Sequence, residues 1–194
     1  MGKGTQRDQL VAKAAEIFQA RGYAATGLRE IAVEAGIPQG SLTNHFRSKQ
    51  GLGLAALELY LARLEAVMAA TLADAARPPA ARLAAYFDRI EALAAAAEYR
   101  RGCLVVDLAA EIPSQSEAIR TRLGEIIARQ RAAFEAVLAL LPAAPDAPPP
   151  AARAGFLLAA WQGTLLQMKV ERSAAPLRRF RLMLRHLCPP EAAA

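Results

Sequence analysis

Two sets of residues in this 194-residue chain have the types and spacing to do chemistry. The first surrounds Cys103 in the run Arg100-Arg101-Gly102-Cys103-Leu104. A cysteine in the first turn of a helix feels the positive end of the helix dipole, and two neighbouring arginines further favour its thiolate, the form that attacks electrophiles. The run therefore predicts a reactive thiol. A second reading stays open at this point: a cysteine after a glycine is also commonly a small buried apolar residue. The other set is Gln39, Ser41, Thr43, Asn44 and His45, five short hydrogen-bonding side chains crowded into one stretch. Such a face suits base edges and phosphate oxygens.

Other chemistries have little to stand on. Cys103 and Cys188 are too few and too far apart for a disulfide framework, and with His45 and His186 they form no metal-ligand spacing. There is no phosphate-cradling glycine loop and no nucleophile elbow. An enzyme built on Cys103 with Lys169 or His186 lacks a recognisable acid, base and oxyanion set. The chain is therefore expected not to be an enzyme, with no cofactor and no metal implied.

The elements that must position the polar set can be read around it. Ile31 and Ala35 give one short helix an apolar seam, Ala32 permits close approach, and Gly36 can take the positive φ that ends a helix sharply. Ile37 and Pro38 restart the chain, and a second helix from about Pro38 to Phe46 puts Leu42 and Phe46 on its inner face. Two short helices with a glycine turn are a helix-turn-helix pattern. A preceding helix from about Gln6 to Ala20 is capped by Thr5 with Asp8, and buries Leu10, Ala14, Ile17 and Phe18. Thr26 is expected to cap the next helix with its hydroxyl.

Charge agrees with this placement. Residues 1–50 carry seven Lys/Arg against four acids, and the remaining 144 carry seventeen against fourteen, so each part is +3 but net positive charge per residue is about three times denser in the first. A phosphate-binding face needs such a bias. With 54% hydrophobic and 6% aromatic residues, alanine and leucine dominate and helices are favoured. No apolar run of membrane-spanning length and no signal-peptide pattern is present, which predicts a soluble cytoplasmic protein without membrane contact.

The stretch Thr26 to Lys49, T-G-L-R-E-I-A-V-E-A-G-I-P-Q-G-S-L-T-N-H-F-R-S-K, resembles the TetR/AcrR family of bacterial repressors in its T-x-x-x-x-I-A entry, glycine turn and G-x-L-x-x-H-F-x-S-K exit. Thr43 stands where the family has tyrosine, which implies an operator preference of its own. The resemblance implies an all-α fold of about nine helices, with a helix-turn-helix domain at 1–47 and a ligand-sensing and dimerisation domain at 48–194. By position it implies phosphate contacts at Thr26, Ser41, His45 and Lys49, and base contacts at Gln39, Thr43 and Asn44. A single recognition helix makes few contacts, so the expected partner is a palindromic double-stranded DNA operator bound by a homodimer.

The body is read from its own signals. Ser48 should cap a long fourth helix to about Ala73, the lever between head and body. Helices from about Pro79 to Ala97, Cys103 to Ile112, Ser114 to Leu141, Ala151 to Glu171 and Pro176 to Leu187 follow, with the proline-rich segment 142–150 as a stiff connector and a frayed tail. Gly155, Ala159 and Gly163 recur every four residues. The family resemblance places its dimer interface on the last two helices, where this stripe lies. The fold it implies also arranges Tyr60, Leu64, Met68, Phe87, Phe134, Trp161, Leu165 and Met168 around a cavity suited to a lipophilic molecule, although such stripes equally make plain core.

Around Cys103 the chain further resembles the electrophile-sensing branch of that family, in G-C-L, the following L-x-A-E, and Gln167-Met168-Lys169 with Ser173, Pro176 and Leu177. The resemblance implies a redox or electrophile sensor using Cys103 and Lys169. The leading expectation is a repressor released from DNA by a lipophilic or electrophilic small molecule. A DNA-binding architectural protein without a sensor is the alternative.

Overall fold

The computed structural model describes residues 5–112, 114–143 and 145–187, and these contain nine helices and no strand. The helices are α1 (Gln6–Arg21), α2 (Leu28–Glu34), α3 (Gln39–His45), α4 (Lys49–Thr71), α5 (Pro79–Ala96), α6 (Leu104–Glu111), α7 (Glu117–Leu138), α8 (Pro150–Glu171) and α9 (Ala175–Leu187). They pack into two compact units, Met1–Arg63 with Cys103–Ile126, and Leu64–Gly102 with Ile127–Ala194. α4 and α7 contribute to both. Cys188, the terminal tail and Pro113 lie outside the described residues.

In the first unit α1 begins as its sequence dictates. Thr5 Oγ1 accepts the Asp8 N–H at 3.2 Å while the Asp8 carboxylate accepts the Thr5 N–H at 3.1 Å, so two otherwise orphaned donors are satisfied together. That pairing holds the Asp8 carboxyl below its usual range. Leu10, Ala14, Ile17 and Phe18 are buried against Ile31, Ala32, Leu42 and Phe46 of the neighbouring elements, which form the core of the head. Gly36 takes φ 65°, and the chain reverses with the Ile37 N–H donating to Ala32 O at 3.0 Å. A side chain at that φ costs about 1 kcal/mol or more, which is why the turn is glycine. Arg21 at the end of α1 is bonded to both Glu30 and Glu34 of α2, fixing the angle between the two helices.

Four local expectations are corrected. Thr26 does not cap α2: Gly27 is the N-cap, Glu30 reaches back to its N–H at 3.5 Å, and the Thr26 hydroxyl donates to Gly22 O at 2.8 Å. Cys103 is not in the first turn of α6 but is its N-cap residue, in extended conformation. The long α7 is capped by Ser116 rather than Ser114, since the Ser116 Oγ accepts the Ile119 N–H at 3.3 Å. It also ends at Leu138, three residues early, because the chain tightens into turns before the proline-rich connector. Ser48 does cap α4, accepting the Gly51 N–H at 3.1 Å.

Arginines lace α4 to α7. Arg122 holds Glu58 through two bonds of 2.6 and 2.5 Å, and seven residues on in both helices Arg129 holds Glu65 at 2.6 Å. Seven residues is two helical turns, so the same faces meet again. The core of the second unit is aromatic. Phe87 lies 4.7 Å from Trp161, 4.8 Å from Phe180 and 5.6 Å from Phe134, centroid to centroid, with Tyr86 edge-on to Phe87 and Phe134. Tyr86 and Gln130 are buried together, the Gln130 amide donating to the Tyr86 oxygen at 3.0 Å. Among the described residues no helix is long and apolar enough to cross a membrane.

Because Phe87 touches three other helices through rings, Phe87→Ala should leave a cavity that α5 cannot close. The expected loss is about 3–5 kcal/mol in urea unfolding followed by circular dichroism. A loss below about 1 kcal/mol contradicts this account of the core.

Candidate functional site

The seven-residue α3 is too short to be helical alone and is held by what it buries. Leu42 is fully buried and Phe46 nearly so, each contributing roughly 1.5–3 kcal/mol. Arg7 of α1 lies over the Phe46 ring at 5.2 Å. The opposite face carries the predicted polar set. Gln39, Thr43, Asn44 and His45 are exposed and Ser41 is half-exposed. Some of these side chains are already oriented by neighbours: Arg29 of α2 donates to Gln39 Oε1 at 3.1 Å, and the Ser41 hydroxyl donates to Gln6 Oε1 at 2.9 Å. Thr43 turns its hydroxyl back to Gly40 O at 2.9 Å.

Two expected phosphate contacts sit differently from their neighbours. Thr26 is 2% exposed, and its hydroxyl is spent on the α1–α2 turn rather than offered outward. Lys49, at the start of α4, donates to Ala24 O at 3.3 Å and lies 4.4 Å over the Tyr23 ring. Partial burial lowers its pKa, with the Glu111 charge opposing that fall.

Glu111, the acid of the L-x-A-E run, has a role that the sequence alone did not assign. At the end of α6, it accepts the Tyr23 N–H at 3.1 Å and the Ala24 N–H at 2.5 Å. Nothing in the periodicity of α6 signals a partner nearly ninety residues away. Arg29 and Gln6 were missed for the same reason, since each acts through another element.

The thiol site reverses one physical expectation. Cys103 is 6% exposed, and burial pushes its thiol above the ordinary value. The Tyr60 hydroxyl, donating to Sγ at 3.2 Å, and the amides of Val106 and Val105 oppose the rise, while the Asp107 carboxylate adds to it. Arg100 is turned to Glu98 at 3.1 Å. Lys169 lies half-buried on α8, in the second unit, whereas Cys103 belongs to the first.

Of the expected ligand residues, Leu64, Met68, Phe87, Phe134, Trp161, Leu165 and Met168 are buried in the second unit, and Tyr60 is half-buried in the first. The polar fixture beside them is Gln130, whose Oε1 has no partner among the described residues. On α8, Gly155 and Gly163 are half-exposed and Ala159 exposed. A Cβ added to Gly163 would meet nothing within 4 Å, so its smallness is not required by its own subunit.

Residues 10–56 match the family model described as bacterial regulatory proteins, tetR family, and residues 79–184 match the tetracyclin repressor-like C-terminal domain. The chain belongs to the TetR family. It is similar to the HTH-type transcriptional repressor DhaR of Mycobacterium sp. (strain GP1), 33% identical over 93% of this chain and 90% of that protein. It is also similar to the HTH-type transcriptional repressor NemR of Escherichia coli (strain K12), 30% identical over 91% of this chain and 92% of that protein. Among solved structures, regulatory protein TetR from Rhodobacter sphaeroides matches with a TM-score of 0.88 at 28% identity, covering 94% of this chain and 99% of that one. Reduced E. coli NemR matches with a TM-score of 0.81 at 26% identity, covering 97% and 100%. The likeness to NemR bears out the branch resemblance read around Cys103. As a TetR-family member the chain is a DNA-binding transcriptional regulator and not an enzyme.

A raised thiol pKa leaves less thiolate at neutral pH than a free cysteine has, so alkylation of Cys103 should be slow at pH 7 and still climbing at pH 9. Tyr60→Phe removes a bond that favours the thiolate and should shift the profile further upward. Peptide mass spectrometry of N-ethylmaleimide labelling across pH reads both; a plateau by pH 8 contradicts the assignment.

Proposed function

We propose that this chain is a homodimeric repressor that binds a palindromic operator through α3 and is released by a lipophilic or electrophilic small molecule. The observation that carries the reading is the exposed polar face of α3, clamped by Leu42 and Phe46 within a basic head. Residues 1–47 serve as the DNA-binding domain and 48–194 as the sensing and dimerisation domain. Gln39, Thr43 and Asn44 reach base edges; Ser41, His45 and Lys49 hold phosphates. Thr26, with its hydroxyl turned inward, supports the turn. A regulator of this kind acts in the cytoplasm, where its DNA is.

Dimerisation is supported by the outer face of α8. Phe156, Ala159, Gly163, Leu166 and Val170 follow a three-four spacing along it, and Phe156, Leu166 and Val170 are 63%, 49% and 77% exposed. Leu182 and Met183 of α9 are exposed as well. Apolar side chains at that spacing, interrupted by small residues, suit close packing against the same helices of a second copy.

The input is read in two parts. The aromatic core around Phe87, Phe134 and Trp161, with Leu64, Met68, Leu165 and Met168, offers apolar surface to a lipophilic inducer, and Tyr60 is a further candidate within the first unit. Cys103 offers a protonated thiol, steadied by Tyr60, to a small neutral electrophile that can enter a buried site. Lys169 is the further sensor residue. Either input acts by favouring the conformation that does not fit the operator.

Footprinting on DNA flanking the gene tests the whole reading. Lys49→Ala should weaken binding to every duplex and lower the salt slope by about one, while Asn44→Ala should relax one base position at a cost of roughly 1–3 kcal/mol. Equal effects of both variants on discrimination would remove the assignment. For the thiol input, N-ethylmaleimide should release the wild type from DNA but not Cys103→Ser; an unchanged dose response in the variant rules it out.

A further inference from the structure

Glu111 occupies a position that its own helix does not favour. It is the last residue of the eight-residue α6, where an acid meets the negative end of the helix dipole and the last turn holds no basic residue to offset it. Its placement is explained instead by the turn between α1 and α2. One carboxylate takes two consecutive backbone donors there, Tyr23 N–H at 3.1 Å and Ala24 N–H at 2.5 Å, a charge-assisted pair. From the other side Lys49 donates to Ala24 O at 3.3 Å and rests over the Tyr23 ring. The same turn is further closed by Thr26, whose hydroxyl holds Gly22 O at 2.8 Å.

The chain also gives up a side chain to let this carboxylate in. Gly22 has φ 91°, and a Cβ built there would stand 2.6 Å from Glu111 Oε1. The backbone conformation demands glycine there, and any added side chain would displace the carboxylate from its place.

We propose that Glu111 is a positioning residue for DNA recognition: it seats the α1–α2 turn, and with it the helix-turn-helix, on the end of α6. The turn carries α2 directly, and α2 carries α3 through the Gly36 reversal and the Arg29–Gln39 bond. A head fixed in this way pays its ordering cost before DNA arrives, whereas a loosely held head pays it on binding. α6 is a rod of about 12 Å, with Cys103 as its N-cap and Glu111 at its far end. A shift of the helix along its axis is thus delivered to the turn. The proposal needs only the DNA binding of the family, so it stands apart from the thiol reading, and failure of N-ethylmaleimide to release DNA leaves it intact.

Electrostatics and positioning predict opposite signs. Removing an acid near the head should strengthen binding to a polyanion, while unseating the turn should weaken specific binding. The test uses full-length Glu111→Gln, a duplex selected by the wild type from a random pool, and a scrambled duplex of equal length. Glutamine keeps the size but turns an N–H donor toward a backbone N–H. Affinity for the selected duplex should fall about tenfold, affinity for the scrambled duplex should hold or rise, and amide exchange at Tyr23 and Ala24 should accelerate. Undiminished affinity for the selected duplex, or an equal loss on both duplexes, overturns the proposal. If Glu111→Gln does not fold, Glu111→Asp keeps the charge but falls one methylene short and should show the same loss of discrimination; wild-type discrimination in that variant overturns it.

Discussion

A helix of seven residues such as α3 cannot hold itself together, and the head is organised around that constraint. Nucleating so short a helix is unfavourable, so its conformation must be imposed by burial of Leu42 and Phe46 and by the abrupt reversal at Gly36. α1 supplies the surface for that burial, and its own end is tied to α2 by Arg21. α6 then holds the turn from which α2 departs. Each layer of support lets the outer face of α3 carry side chains chosen for what they contact rather than for helix stability. Threonine and asparagine in the middle of so short a helix are poor formers, and they are tolerated because tertiary contacts fix the backbone.

The environment of Cys103 is a contest between two effects of similar origin. Amides at the start of a helix and the Tyr60 hydroxyl favour a thiolate, while removal from water disfavours any charge. Burial is the larger effect, and the Asp107 carboxylate reinforces it. The result is a shielded thiol, its pKa raised although the Tyr60 hydroxyl and the Val105 and Val106 amides point to the sulfur.

Most of the architecture was legible in the chain. Pro79 and Ser48 mark helix starts, the Thr5–Asp8 box caps α1, and Gly36 marks the reversal, each a local effect that works within about four residues. The polar face of α3 was legible for the same reason, since side chains on one short helix are placed by its period alone. Local signals also misled where two alternatives stood side by side. Ser114 and Ser116 both precede α7, and only packing selects the second. Thr26 has the right chemistry to cap α2, but its hydroxyl is drawn to Gly22 O once the turn closes.

By itself the sequence determined the helix order, the helix-turn-helix and the polar outer face of α3, because these follow from spacing and from residues close along the chain. Tertiary structure alone decided what depends on partners far apart in sequence. It raised the Cys103 thiol where the neighbouring arginines suggested the opposite, paired Gln130 with Tyr86, turned Lys49 onto Tyr23, and brought Glu111 to the Tyr23 and Ala24 amides. Burial and long-range hydrogen bonds exist only after the chain has folded, and no period along the sequence records them.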